Sequence, residues 1–327
     1  MIKRVVHHKL KRVGTMPQEP VAVDNDYQYN LQRGVSYSKL QSFLSCRQRC
    51  AYECQGWRRI ESKESLTFGG MFHELLEQLY TFIRDEKIPY GALCKQIEEI
   101  SEPWIDQICS TAMKGGANGE MVERCAALAA GLLPGYVKYH KDDHKKVWVS
   151  LESEFKQTWQ GHTLFGYRDG VFEQDKKQLW ILETKTKSQI SKDLGDVVSF
   201  DAQNLYYALA TELETKRTVV GVLYNVIRKP GWKMDGVDAT EIKKRALEES
   251  MKDPKHFYVR YPTRISRVHL ERYKVELKMK LDDFTAWLHG KLPTYRSEGA
   301  CTGIWNCQFI QVCSTGSFIG FKKEDRK

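Results

Sequence analysis

The stretch TLFGYRDGVFEQDKKQLWILETKTK (163–187) decides how the chain is read. It alternates apolar and polar residues and is rich in β-branched and aromatic side chains, which predicts two strands joined at Asp175-Lys176-Lys177. KVWVSLESEFKQTW (146–159) carries the same pattern just upstream, and Gln160-Gly161 marks the turn between them. Leu179, Trp180, Ile181 and Leu182 form an unbroken apolar run, so the third strand is expected to be buried on both faces near its start. Charges follow at its exit. Glu183 and Lys185 are two residues apart and project from one face. Asp169, on the neighbouring strand, can reach the same spot.

Outward from this sheet the pattern changes to helical periods. FGGMFHELLEQLYTFIRDE (68–86) spaces Phe72, Leu75, Leu76, Leu79 and Phe82 by threes and fours, a helix stripe. SYSKLQSFLSCRQRCAYEC (36–54) opens with Ser36 or Ser38 as a helix cap and an apolar face of Leu40, Phe43 and Leu44. Residues 90–110 and 118–140 read as helices. After the three strands come a helix near 198–213, a strong strand TVVGVLYNVIRK (218–229), a charged helix near 239–252, a short strand near 256–261 and a long helix near 265–290. The order predicts one α/β domain with a helical insertion and a C-terminal cap that carries the last cysteines.

The chemistry is expected where Asp169, Glu183 and Lys185 meet. Two carboxylates at one point repel each other unless a cation lies between them, and hard divalent ions such as Mg²⁺ or Mn²⁺ prefer such oxygens. A lysine beside them can orient a water or stabilise charge building on a phosphate. A short D…ExK pattern taken alone reads more readily as a cross-strand salt bridge on a solvated face. Its place at the exit of a buried strand favours the site.

With these residues the chain resembles the PD-(D/E)XK nuclease superfamily, and within it the RecB-like exonuclease branch. The likeness runs from about 36 to 313. His73 in FGGMFHELLEQLY stands where that branch has a histidine completing the metal site. Gln203 and Tyr207 in DAQNLYYALA match its Gln and Tyr four apart on a helix, positions that share a face. SYSKLQSFLSC matches the opening helix. Arg47 departs from the branch, where a proline often follows the first cysteine. The resemblance implies a restriction-endonuclease-like core: a central mixed sheet flanked by helices, with an insertion at about 88–142 and a cysteine cap at about 299–313. The nuclease domain would then span 36–313, between an arm (1–35) and a tail (314–327). It also implies a metal-dependent DNA exonuclease acting on single-stranded ends in recombination, repair or replication. Asp169, Glu183 and His73 would bind Mg²⁺ or Mn²⁺ with the Thr184 carbonyl, Lys185 would serve the attacking water, and Gln203 and Tyr207 would face the DNA. The rival expectation is a non-catalytic nucleic-acid-binding accessory protein that keeps the fold.

Nine cysteines and no export signal argue against a disulfide framework. Cys301, Cys307 and Cys313 are evenly spaced, without the close pair typical of zinc sites. Iron–sulfur clusters accept wider spacing but need four thiolates. The cluster-bearing members of the resembled branch, the AddB type and CRISPR-associated helper nucleases, take one cysteine before the sheet and three after it. That implies a 4Fe-4S cluster on Cys46, Cys301, Cys307 and Cys313. Cys50, one helical turn after Cys46, competes for the first place. Cys94, Cys109 and Cys125 fall in apolar helical stretches and read as buried small residues.

Lys and Arg outnumber Asp and Glu by 51 to 42, a mild lean toward polyanions. Arg58, Arg59, Lys187, Arg228 and Lys229 are candidates for the path of a strand or for plain solvated surface. No apolar run reaches membrane length and the basic start lacks an apolar core, so a cytoplasmic protein with no membrane partner is expected. The resemblance implies DNA as the partner and leaves room for a helicase or recombination protein beside it.

Overall fold

The computed structural model describes residues 29–60, 64–175, 178–302 and 307–324. Most of the expected arm (1–28), the Lys176-Lys177 turn, the middle of the cap (303–306) and the tail end (325–327) lie outside them. The chain is mixed α/β, as expected. The main sheet is built from β3 (Val147–Trp159), β4 (His162–Asp175), β5 (Gln178–Lys187), β6 (Thr218–Arg228) and β7 (Tyr258–Arg264) in spatial order. β3–β4, β4–β5 and β6–β7 are antiparallel; β5–β6 is parallel. A two-residue β1 (Val35–Ser36) pairs with the first half of β4, where β5 does not reach. β5 is central and its Leu179–Thr184 run is buried, because both faces of the sheet are covered.

One face carries α3 (Glu64–Glu86), α4 (Tyr90–Lys114) and α5 (Gly119–Tyr139), whose Phe68, Phe72, Leu79 and Leu132 pack with Trp148, Phe172 and Trp180 of the sheet. The other face carries α1 (Tyr37–Ser45), α2 (Arg47–Cys54), α7 (Ala202–Thr215) and α10 (Arg267–Leu288), packed on Phe155, Trp159 and Leu164. The remaining helices are α6 (Leu194–Ser199), α8 (Ala239–Lys252), the one-turn α9 (Pro254–Phe257) and α11 (Ile310–Thr315).

Several expectations are corrected. The helix expected near 198–213 is two: α6 stops at Phe200, and Asp201 caps α7 by accepting from the Gln203 amide at 2.9 Å. Such a cap is worth about 1 kcal/mol. The strand expected at 256–261 starts later, because Asp253 caps a helical turn at Pro254–Phe257 first. Ser36, not Ser38, caps α1, and Leu44 is exposed while Leu40 and Phe43 are buried. α1 and α2 are separate helices, because Cys46 between them is fully extended (φ −162°). A small second sheet pairs β2 (Trp57–Arg59) with β8 (Phe321–Lys323) and closes the cap, with Trp57 stacked on Phe318 at 4.0 Å. Cys125 is buried as expected, but Cys94 and Cys109 are only half-buried.

Candidate active site

Three elements converge on the end of β5. α3 approaches it closely at Gly69, where an added Cβ would lie 3.0 Å from the Thr186 hydroxyl. That approach brings His73, one turn further along α3, to the sheet: its Nδ1 is 3.7 Å from Asp169 Oδ2. β4 supplies Asp169, whose Oδ2 accepts the Thr184 amide at 2.5 Å. β5 supplies Glu183, 1% exposed, and Lys185, whose ammonium donates to Glu183 Oε1. From α7, Gln203 Nε2 donates to the same oxygen at 3.0 Å and to the Tyr207 hydroxyl at 3.0 Å. Asp169, Glu183, Lys185, His73, Thr184, Gln203 and Tyr207 thus gather at one place.

Glu152 joins them, and the sequence reading passes over it. Glu152 Oε, Asp169 Oδ and a His73 ring nitrogen all lie within 4.8 Å of one another. The signal was the hairpin. A turn at Gln160-Gly161 pairs Trp159 with His162, and counting outward sets Glu152 opposite Asp169, between the pairs Leu151–Gly170 and Ser153–Arg168. Glu152 also has φ +36°, a left-handed backbone inside a strand and a strain of the kind that gathers at functional sites.

The electrostatics follow from burying several carboxylates together. Burial and then Asp169 push Glu152 up to about 9, with Glu77, Glu183 and Glu74 adding to it. Burial and then Asp169 push Glu183 up to about 7, against the pull of Lys185 and His73. Burial pushes Asp169 up to about 6, opposed by the Thr184 amide and Lys185. Lys185 is held protonated by Glu183 and Asp169 despite its burial. His73 is shifted down, first by burial and then by Lys185, which leaves its ring neutral and able to ligate. Glu183 Oε2 is buried without a hydrogen-bond partner. A set of carboxylates with one orphaned oxygen and a neutral imidazole fits a divalent cation.

This predicts a pH-dependent linkage. The folded chain keeps carboxyl protons that an unfolded chain has released, so the metal-free fold is favoured at low pH and loses stability as pH rises through about 6 to 9. A cation replaces those protons. Mn²⁺ should therefore raise Tm more at pH 8.5 than at pH 6, and Glu152→Gln should flatten the difference. Equal metal-induced shifts at both pH values in the unmodified protein would count against this cation site.

The cysteines fall into two groups. Cys46 Sγ, at the break between α1 and α2, accepts the Ser297 amide at 3.5 Å. The Cys307 amide donates to the Cys301 carbonyl at 3.1 Å, and Cys313 lies on α11. Burial raises the Cys307 and Cys313 thiols, and the neighbouring thiols add to it: Cys46 and Cys301 act on Cys307, and Cys46, Cys301 and Cys307 act on Cys313. Cys50 faces elsewhere. It lies 3.9 Å from Cys54 inside the hydrophobic core, so its position one turn after Cys46 does not put it on the same face. Arg47, standing where a proline is common, donates to the Pro293 carbonyl at 3.1 Å and lies over the Phe43 and Tyr295 rings, pinning the segment that leads to Cys301. Among the basic candidates, Lys187 pairs with Arg228 across β5 and β6, and the Lys229 amide donates to the Lys187 carbonyl. Arg58 and Arg59 lie apart from these, on the small sheet.

Residues 34–314 match the family described as the PD-(D/E)XK nuclease superfamily. The chain belongs to this superfamily. No curated protein matches the sequence. Among solved structures, this nuclease is similar to a candidate exonuclease from Eubacterium rectale. The likeness covers 90% of this chain and 93% of that one, with a TM-score of 0.51 and 10% identity. At that identity it concerns the fold. Members of the superfamily generally use divalent metals, and among the described residues of this nuclease no helix is long and apolar enough to cross a membrane.

Proposed function

We propose that this nuclease is a metal-dependent deoxyribonuclease of the RecB-like branch, an exonuclease that hydrolyses phosphodiester bonds at single-stranded DNA ends in the cytoplasm, with a helicase or recombination protein as partner. The observation that carries the reading is the convergence of Asp169, Glu183, Lys185 and His73 around a buried carboxylate oxygen that has no partner. His73, Asp169, Glu183 and Glu152, with the Thr184 carbonyl, would hold Mg²⁺ or Mn²⁺. The ion would supply charge neutralisation at the phosphate and an acidified water. Lys185 stays protonated and holds positive charge where the transition state gathers negative charge. Gln203 orients the Glu183 carboxylate, with Tyr207 behind it on the DNA side. Residues 36–313 act as the nuclease domain, with the insertion at 88–142 and the cap at 299–313. The cap carries a 4Fe-4S cluster on Cys46, Cys301, Cys307 and Cys313, a reading supported by the influence of Cys46 and Cys301 on the Cys307 and Cys313 thiols.

The test is cleavage of end-labelled single- and double-stranded DNA by anaerobically prepared protein with Mg²⁺, Mn²⁺ or EDTA. Release of short products from single-stranded ends, abolished by EDTA, is the expected result. Binding without cleavage under either ion would turn the assignment to an accessory protein. Mn²⁺ accepts nitrogen ligands more readily than Mg²⁺. Mn²⁺ should therefore support faster cleavage than Mg²⁺, and His73→Ala should narrow that gap while lowering both rates. Unchanged rates in His73→Ala would remove His73 from the site.

A further inference from the structure

Behind β5, on the side away from α7, lies a buried polar chain that the chemistry above does not use. Asp143, in the turn Lys141–Lys145 after α5, accepts from Arg260 Nη1 and Nη2 at 2.7 and 2.6 Å. It also accepts from Lys146 at 2.7 Å and from the Tyr80 hydroxyl at 2.8 Å. Arg260, from β7, donates through Nε to Asn225 Oδ1 at 3.0 Å and through Nη2 to the Tyr136 hydroxyl at 2.8 Å. Asn225, from β6 and fully buried, donates through Nδ2 to the Tyr136 hydroxyl at 2.8 Å and to Thr184 Oγ1 at 3.2 Å. Thr184 is the residue between Glu183 and Lys185. Its amide donates to the Asp169 carboxylate from the other side of the strand.

We propose that Asn225 and Arg260 are positioning residues for the metal site, acting through Thr184 on the carboxylate of Asp169. This rests on the metal-dependent nuclease reading. The chain runs without a gap from Asp143 through Arg260, Asn225 and Thr184 to Asp169. A second branch reaches the opposite ligand: Tyr80, bonded to Asp143, lies on α3 seven residues after His73, two turns along the same face. Both the strand that presents Asp169 and the helix that presents His73 are therefore indexed to one bidentate ion pair. Stability alone does not call for this arrangement, because well-packed apolar residues commonly replace a buried ion pair without loss. A site whose ligands come from separate elements does need such a reference, since outer partners orient ligands and set affinity.

The test measures Mn²⁺ binding by isothermal titration without DNA, together with the Tm of each variant with and without the ion. Thr184→Val keeps the side-chain shape and removes the oxygen that Asn225 reaches, and Asn225→Ala removes the link itself. Thr184→Val and Asn225→Ala should weaken Mn²⁺ about 10–100-fold, the range for lost outer partners of metal ligands. Their metal-induced rise in Tm should shrink. A merely structural role lowers Tm equally with and without Mn²⁺ and leaves affinity unchanged, and that result overturns the proposal. Thr184→Val carries the test should Asn225→Ala not fold. Failure of the underlying reading looks different: the unmodified protein would then bind no Mn²⁺, or bind it equally well after Asp169→Asn, and both assignments would fall together.

Discussion

Glu183→Gln and Lys185→Ala are each expected to lower DNA cleavage by about 10²–10³-fold, the usual loss when one electrostatic group is taken from a transition-state site. The two variants should part company in stability. Glu183 is buried, and its carboxyl is pushed up to about 7 by burial and by Asp169. Its charge is therefore a burden on the metal-free fold above neutral pH. Glutamine keeps the shape, removes the charge, and can still meet Lys185 through its carbonyl oxygen. At pH 8 the metal-free Glu183→Gln protein should melt at or above the unmodified protein. Lys185→Ala does the reverse: it leaves Glu152, Asp169 and Glu183 with no ammonium among them and should melt lower. Thermal melts beside cleavage rates at pH 8 check both halves. Undiminished cleavage by either folded variant would end the assignment of these residues, and equal melting shifts would end the account of their charges.

The fold was legible wherever a periodic pattern ran long enough. Strands β3 to β6 and helices α3 to α5 announce themselves by alternation, by apolar runs and by threes and fours. The misreadings sit at caps. Asp201 and Asp253 each start a helix, and Cys46 divides one, through single backbone conformations that periodicity averages over. The two-residue β1 and the β2–β8 pair are too short to carry a period, and they form because distant segments meet. In the candidate site, a two-residue spacing on one strand was enough to bring Glu183 beside Lys185, and a four-residue spacing to bring Gln203 beside Tyr207. Glu152 was readable in principle from the hairpin count, but nothing in its neighbours marks it among the glutamates of that strand. The chain from Asp143 to Thr184 was not readable. Its four members, Asp143, Arg260, Asn225 and Thr184, come from four separate segments, and each alone is an ordinary polar residue of its stretch.

Cys46→Ala, Cys307→Ala and Cys313→Ala should each bleach the protein, while Cys50→Ala keeps its colour. Thiolate-bound iron–sulfur clusters absorb broadly in the visible, so the anaerobically prepared protein should be yellow-brown, and the spectrum decides the matter. Spacing along one helix would make Cys46 and Cys50 near-equivalent candidates. The break at Cys46 removes that equivalence: the chain is extended there, its sulfur meets the Ser297 amide 251 residues away, and Cys50 turns into the core beside Cys54. A cluster on Cys46 and the C-terminal trio would therefore close a very long loop, and closing a loop by covalent bonds typically contributes about 3 kcal/mol or more. Losing it should lower Tm by roughly 5–10 °C at this chain length and expose the segment near residue 300 to proteases. Cys50→Ala should cost some packing in the core but leave that segment protected. Cleavage by the bleached variants should fall through lost stability and lost grip on DNA, with the Mn²⁺ dependence of the remaining activity unchanged, since the Cys46, Cys307 and Cys313 sulfurs take no part in the carboxylate site. A colourless protein carrying one equivalent of zinc would replace the iron and leave the clip standing. Bleaching by Cys50→Ala with full colour in Cys46→Ala would mean that the core cysteine, against its geometry here, supplies the fourth thiolate.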